Sequence, residues 1–274
     1  MALNSVNTNT GAAIALQTLN RTNDALAVTQ KRISTGYRVA DAKDDGAAFA
    51  VAQSVRADIS GLTSANEQIG GVQGVLGTAL SGLTKVSETM SNVRAVLVKL
   101  ADGTLSSDQR EQYNAQYNSL KTQVENYIQD ATYNGRTLLN TTSASGGGDI
   151  ATVRNEKGTT YTLTAVDAAS LTVATVPADA AAAVTALSGD FATKMKAINT
   201  AMNTFGSNNN YLQSQVSYNK EKMDSLETGL GALVDADLAK ESAKLQALQI
   251  KQQLGTQSLS IANQAPQSLL SLFR

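Results

Sequence analysis

The sequence has no cysteine, no histidine and no tryptophan among its 274 residues, and only four phenylalanines. Without His or Cys there is no Ser-His-Asp or Cys-His nucleophile system, no zinc site of the usual ligands, no disulfide framework and no haem held through those side chains. Charge of one sign is also lacking: 22 Lys and Arg stand against 23 Asp and Glu, a formal charge of -1. That balance leaves no electrostatic footprint for nucleic acid or for an anionic membrane surface, and neither partner is expected. Only Pro177 and Pro266 occur, so nothing before residue 177 forces a helix to break as proline would. The stretch Met1 to Thr8 has neither a cationic start nor an apolar run, so no secretory signal or membrane anchor is expected there.

What is abundant is Ala, Leu, Val, Ile and Met at helical spacing. One register runs Leu62, Ile69, Leu76, Leu83, Met90, Leu97 and a second runs Ala65, Val72, Ala79, Val86, Val93, Leu100. This is an a/d heptad seam, and it predicts a helix from near Asp44-Asp45 to Ala101, roughly 80 Å long at ~1.5 Å per residue. A second helix is expected from about Ser107, broken by Asn134-Gly135. A third seam reads Phe191, Ile198, Phe205, Leu212, Asn219, Leu226, Leu233, with Met195, Met202, Asn209, Val216, Met223, Leu230 interleaved. It passes through Gly206-Ser207-Asn208-Asn209-Asn210 without losing phase, so one long helix is predicted, with Pro177 at a first-turn position.

Between these helices the character changes. Gly146-Gly147-Gly148 reads as a flexible stretch, Ile150-Val153 and Thr159-Leu163 flank Asn155-Glu156-Lys157-Gly158 as a hairpin would, and Leu171-Val176 is a candidate third strand. The two ends mirror one another: Leu16, Leu19, Leu26 and Ile33 mark an N-terminal amphipathic helix, and Leu238, Leu245, Leu248 and Leu259 a C-terminal one. Neither can bury its stripe alone, so they are expected to pair with each other, with other copies of the chain, or both. The fold class is mainly α: a long helical bundle with heptad seams, terminal coiled-coil helices and a small β-hairpin segment.

Sites for chemistry are few. Asp41, Asp44 and Asp45 with Lys43 form the densest carboxylate cluster, which suits a helix start better than acid–base work. Gly70-Gly71-Val72-Gln73-Gly74-Val75-Leu76-Gly77 fits neither the dinucleotide fingerprint nor the P-loop and lies inside the heptad helix. Small residues there are expected to let a neighbouring helix or subunit approach. No catalytic, cofactor or metal-binding residues are assigned, and no enzyme activity is expected.

Ile33-Ser34-Thr35-Gly36-Tyr37-Arg38 followed by Ala42-Lys43-Asp44-Asp45 resembles the N-terminal region of bacterial flagellins. Asp235-Ala236-Asp237 with Gln249-Ile250, Gln252-Gln253, Gly255-Thr256, Ala262-Asn263-Gln264, Pro266-Gln267 and Leu269-Leu270-Ser271-Leu272 resembles their C-terminal end. The resemblance covers residues 1–140 and 180–274. It implies a filament subunit, with 1–35 and 236–274 as an inner coiled-coil tube, 36–235 as a helical shaft, and 141–177 as a short insert where longer flagellins carry outer domains. It also implies an extracellular filament of identical or related chains, reached through the flagellar export apparatus and assembled with cap and junction proteins; a hook-filament junction protein is the alternative.

On this reading self-assembly is carried by the terminal seams, including Leu269 and Leu272, together with Arg38, Lys43, Asp44 and Asp45 at the join of tube and shaft. The terminal segments are expected to be disordered in the monomer and to fold on polymerising. Many flagellins also carry a patch, Gln-Arg-Val-Arg-Glu-Leu-Ala-Val, that a vertebrate innate-immune receptor recognises. The aligned residues are Ser91 to Val98; Arg94 matches, whereas Asn92 and Ala95 replace charged positions, which implies weak or absent activation.

Overall fold

The computed structural model describes residues 8–271, with side chains described as far as residue 264. In chain order the elements are α1 (Thr10–Thr35), α2 (Gly46–Leu100), α3 (Ser107–Asp130), β1 (Ile150–Val153), β2 (Thr160–Leu163), α4 (Ala180–Ala186), α5 (Ala192–Val234) and α6 (Leu238–Ser271). The chain forms two compact units, residues 58–224 and residues 1–57 with 225–274.

The core of residues 58–224 follows the heptads. All twelve α2 seam positions from Leu62 to Leu100 are buried, as are Phe191, Ile198, Phe205, Leu212 and Asn219 of the third seam. Helix α5 runs unbroken through Gly206 to Asn210, because the apolar phase on either side holds those weak helix formers in place. A π turn, Leu187–Phe191, joins α4 to α5. Helix α3 starts behind Ser106, one residue before the expected cap. Ser106 Oγ accepts from Gln109 N–H, and the Gln109 side chain accepts from Ser106 N–H, which forms a capping box.

Three local expectations are corrected. The glycine tract is a packed turn, not a flexible one: Gly146 and Gly147 lie so close to the carbonyls of Gly135 and Asn140 that a Cβ on either would collide. Leu171 and Val173 are buried with strand-like alternation, but the sheet is β1 paired antiparallel with β2. At Ala174, side chains replace a ladder, with Tyr117 Oη donating to its carbonyl at 3.1 Å and its N–H donating to Asp190 Oδ2 at 2.9 Å. Burial pushes Tyr117 up to about 12, which keeps that hydroxyl a donor. Pro177 is buried ahead of α4 and not in its first turn, because Asp179 caps the helix by accepting from Ala182 N–H at 2.7 Å.

The hairpin is fastened to α5 by polar groups. Asn208, Tyr211, Gln215, Asn219 and Lys222, spaced three and four apart on one helical face, all bond to it. The buried Asn219 donates to Asn66 Oδ1 on α2 at 2.8 Å and to the Arg154 carbonyl at 3.1 Å, which fixes the register of α2, α5 and the hairpin. Glu156, nearly buried, accepts from Lys222 Nζ at 2.6 Å.

That hydrogen bond holds Glu156 below the ordinary glutamate value of 4.5 and Lys222 above 10.5. The Glu156 contribution is therefore whole above pH 4.5 and lost as pH falls through its lower folded value; that of Lys222 is whole below 10.5 and lost as pH rises past its higher one. Glu156→Gln is expected to cost about 1–2 kcal/mol at neutral pH, since Lys222 stays partly exposed. Urea midpoints across pH should show that gap closing in acid; a gap unchanged at low pH would refute the assignment.

The helical glycines divide by neighbour. A Cβ on Gly82 would come within 2.7 Å of Ala131 Cβ and 3.2 Å of the Tyr127 carbonyl, whereas one on Gly77 meets open space. Gly77→Ala is expected to stabilise by about 0.5–1 kcal/mol through helix propensity, and Gly82→Ala to destabilise by about 1–3 kcal/mol through overpacking. Opposite shifts in thermal midpoint check this.

Candidate functional site

Helices α1 and α6 pair antiparallel. Asn9 Nδ2 donates to the Ala262 carbonyl at 2.7 Å, Gln252 Nε2 to Asn23 Oδ1 at 2.8 Å, and Arg32 Nη1 to Glu241 Oε1 at 3.0 Å. Asn9 also caps α1 by accepting from Ala12 N–H, and Asp237 caps α6 by accepting from Lys240 N–H. Gly255 gives Leu19 room, since a Cβ there would lie 3.2 Å from Leu19 Cδ1.

The pair buries little. Leu248, Thr29 and Glu241 are buried, while Leu19, Leu26, Ile33, Leu245 and Leu259 are half-buried. Leu16 and Leu238 stay exposed, and with them Ile14 (65% exposed), Ile250 (59%), Leu254 (58%) and Ile261 (63%). Large aliphatic side chains this open, repeated along two adjoining helices, mark a surface that another apolar surface can cover. Leu272 and the Leu269 side chain lie outside the described residues.

Beyond α1 the chain turns through Gly36, whose left-handed φ of 73° ends the helix as only glycine does readily. The turn is tied to residues 233–236: Arg38 and Val39 N–H both donate to the Val234 carbonyl, and Ala236 N–H donates to that of Gly36. The Arg38 guanidinium donates to the Leu233 carbonyl. A small core of Val39, Ala52 and Val234 sits beneath.

Lys31 organises the carboxylates. Its Nζ lies 2.8 Å from Asp41 Oδ2 and 2.9 Å from Asp44 Oδ2, so the ammonium is held above its ordinary value and both acids are held below theirs by the same hydrogen bonds. Asp44 also accepts from Ala40 and Asp41 N–H, and Asp45 caps α2 through Ala47 and Ala48 N–H. Lys43 is exposed and gives its backbone N–H to Asp41. Asp41, Asp44 and Asp45 fix the turn that leads from α1 to the start of α2, and the lowered Asp41 and Asp44 stay ionised near neutral pH, which suits positioning and not proton transfer.

Sequence reasoning missed Lys31, Arg32 and Glu241. Their periodic signal is that of an ordinary solvated face, and only the pairing of α1 with α6 brings Arg32 to Glu241. Asn92, Arg94 and Ala95 are exposed on α2. No described helix is long and apolar enough to cross a membrane.

Comparison with known proteins is consistent along the length of the chain. Residues 6–144 match the family model of the bacterial flagellin N-terminal helical region, and residues 190–273 that of the C-terminal helical region. Flagellin FljM of Caulobacter vibrioides is 36% identical over all of both chains, and a flagellin of Brucella melitensis is 36% identical over 98% of this chain and 99% of that one. The crystal structure of Bacillus cereus flagellin matches with a TM-score of 0.51 and 27% identity, covering 56% of this chain and 88% of that one. A putative flagellar hook-associated protein of Vibrio parahaemolyticus matches 70% of this chain and 100% of its own at a TM-score of 0.57 but 16% identity, a likeness of fold alone.

Proposed function

Since the chain belongs to the bacterial flagellins and is a structural subunit of the extracellular flagellar filament, we propose that it polymerises through the terminal helices, with residues 1–35 and 236–274 forming an inner tube and 36–235 the shaft around it. The observation that carries this reading is the row of exposed aliphatic side chains on α1 and α6. Leu16, Leu19, Leu26 and Ile33 on α1 and Leu238, Leu245, Leu248 and Leu259 on α6 supply contacts within the pair and between copies. Arg38, Asp44 and Asp45, with Lys31, hold the turn that follows α1 in each subunit. The role is structural and not catalytic. Export by the flagellar secretion apparatus and assembly with cap and junction proteins complete the proposal.

Adding a salting-out anion to purified chain, with and without short filament seeds, tests it by electron microscopy. Long filaments are expected, and α1 and α6 amides that exchange fast in the monomer should become protected in them. A chain that stays monomeric on seeds would move the reading to the junction role, which the family matches do not favour.

A further inference from the structure

Tyr161 on β2 and Tyr211 on α5 hold their rings in contact, with centroids 4.4 Å apart and planes 35° from parallel. Both phenols are fixed by neighbours: Tyr161 Oη donates to Asn208 Oδ1 at 2.9 Å, and Arg154 Nη1 donates to Tyr211 Oη at 3.2 Å. Both residues are half-buried, whereas Tyr37, Tyr127, Tyr133 and Tyr218 are exposed. The composition adds a second argument. A chain with no Trp, Cys or His leaves tyrosine as the side chain from which a one-electron oxidant most readily draws an electron, and methionine takes up oxygen by a different, two-electron route.

We propose that Tyr161 and Tyr211 are a modification site, an oxidative cross-link that joins the hairpin to α5 as dityrosine. A peroxide-driven one-electron oxidant takes one electron from each phenol as each releases its proton, giving two phenoxyl radicals. These couple at the carbons ortho to oxygen to form one carbon–carbon bond. The hydrogens on those carbons then move to the phenolic oxygens as the rings regain aromaticity. The chain loses two hydrogens in all, and one hydrogen peroxide becomes two waters. The product covalently closes the loop between residues 161 and 211 and so constrains the unfolded chain.

The inference stands independently of filament assembly and is tested on dilute full-length chain treated with a haem peroxidase and hydrogen peroxide. Expected are dityrosine fluorescence whose yield per chain does not depend on protein concentration, and a linked peptide pair carrying Tyr161 and Tyr211 that is two hydrogens lighter than its parts. Tyr161→Phe and Tyr211→Phe, which keep both rings, should each lose that signal, whereas Tyr218→Phe should keep it; circular dichroism confirms that the variants fold. Absence of the linked pair, fluorescence that survives in either paired-ring variant, or links found only among exposed tyrosines at high concentration would overturn it.

Discussion

Replacing Ile250 and Leu254 together by aspartate is expected to reduce filament yield to background and leave the melting of the free chain unchanged. Both side chains are more than half exposed on α6, so neither contributes much to the fold of the single chain. In a polymer that covers them, losing two aliphatic side chains removes about 3–6 kcal/mol of burial, before the cost of desolvating two carboxylates. At about 1.4 kcal/mol per tenfold, the chain concentration needed to polymerise should rise by at least about a hundredfold. Seeded sedimentation with electron microscopy reads the first effect and far-ultraviolet circular dichroism the second. Leu248→Asp is the informative contrast, because Leu248 is buried within the chain and its loss should weaken the α1–α6 pair as well as the polymer. Normal filaments from the double variant would remove these side chains from the assembly surface.

Phe205→Ala is expected to be the most damaging single truncation among residues 58–224, at about 3–5 kcal/mol. Phe205 is fully buried on α5 in the core that also holds Leu76, Leu83 and Met90 of α2, and the close packing around it leaves a cavity and not a collapse. Against a typical total of about 5–15 kcal/mol, such a loss threatens folding itself. A urea titration followed by near-ultraviolet signal measures it, and a loss below about 1 kcal/mol would mean that the core is looser than its burial suggests.

The contrast between these two sites explains what the sequence made legible. Where one chain closes its own core, period and burial coincide: every α2 seam position from Leu62 to Leu100 reads correctly, and even Asn219, a polar residue at a seam position, is buried. At the termini the period is present but the burial is not, because Leu16 and Leu238 stay exposed. Charges are harder still to read. Lys31 and Arg32 look like the solvated face of α1, and only tertiary pairing makes one the hub of Asp41 and Asp44 and the other the mate of Glu241. Leu171 to Val176 misled for a related reason, since alternation reports which side chains are buried but not whether the backbone finds a neighbouring strand. The glycine tract misled because glycine marks close approach as well as mobility, and which of the two applies depends on Gly135 and Asn140, which only folding brings against it.

The antiparallel pair of α1 and α6 also sets an order in time. Asn9 and Ala262, joined by one hydrogen bond, are 253 positions apart in the chain, so their meeting closes nearly the longest loop this polypeptide contains. The bundle around α2 and α3 draws on nearer neighbours and can form first, as contacts of short separation do. Helix α1 then waits for α6, from which the whole bundle separates it in sequence, before it can pair. A chain cut short before residue 238 would have a folded middle and a first helix with nothing to hold, unfit to join its neighbours.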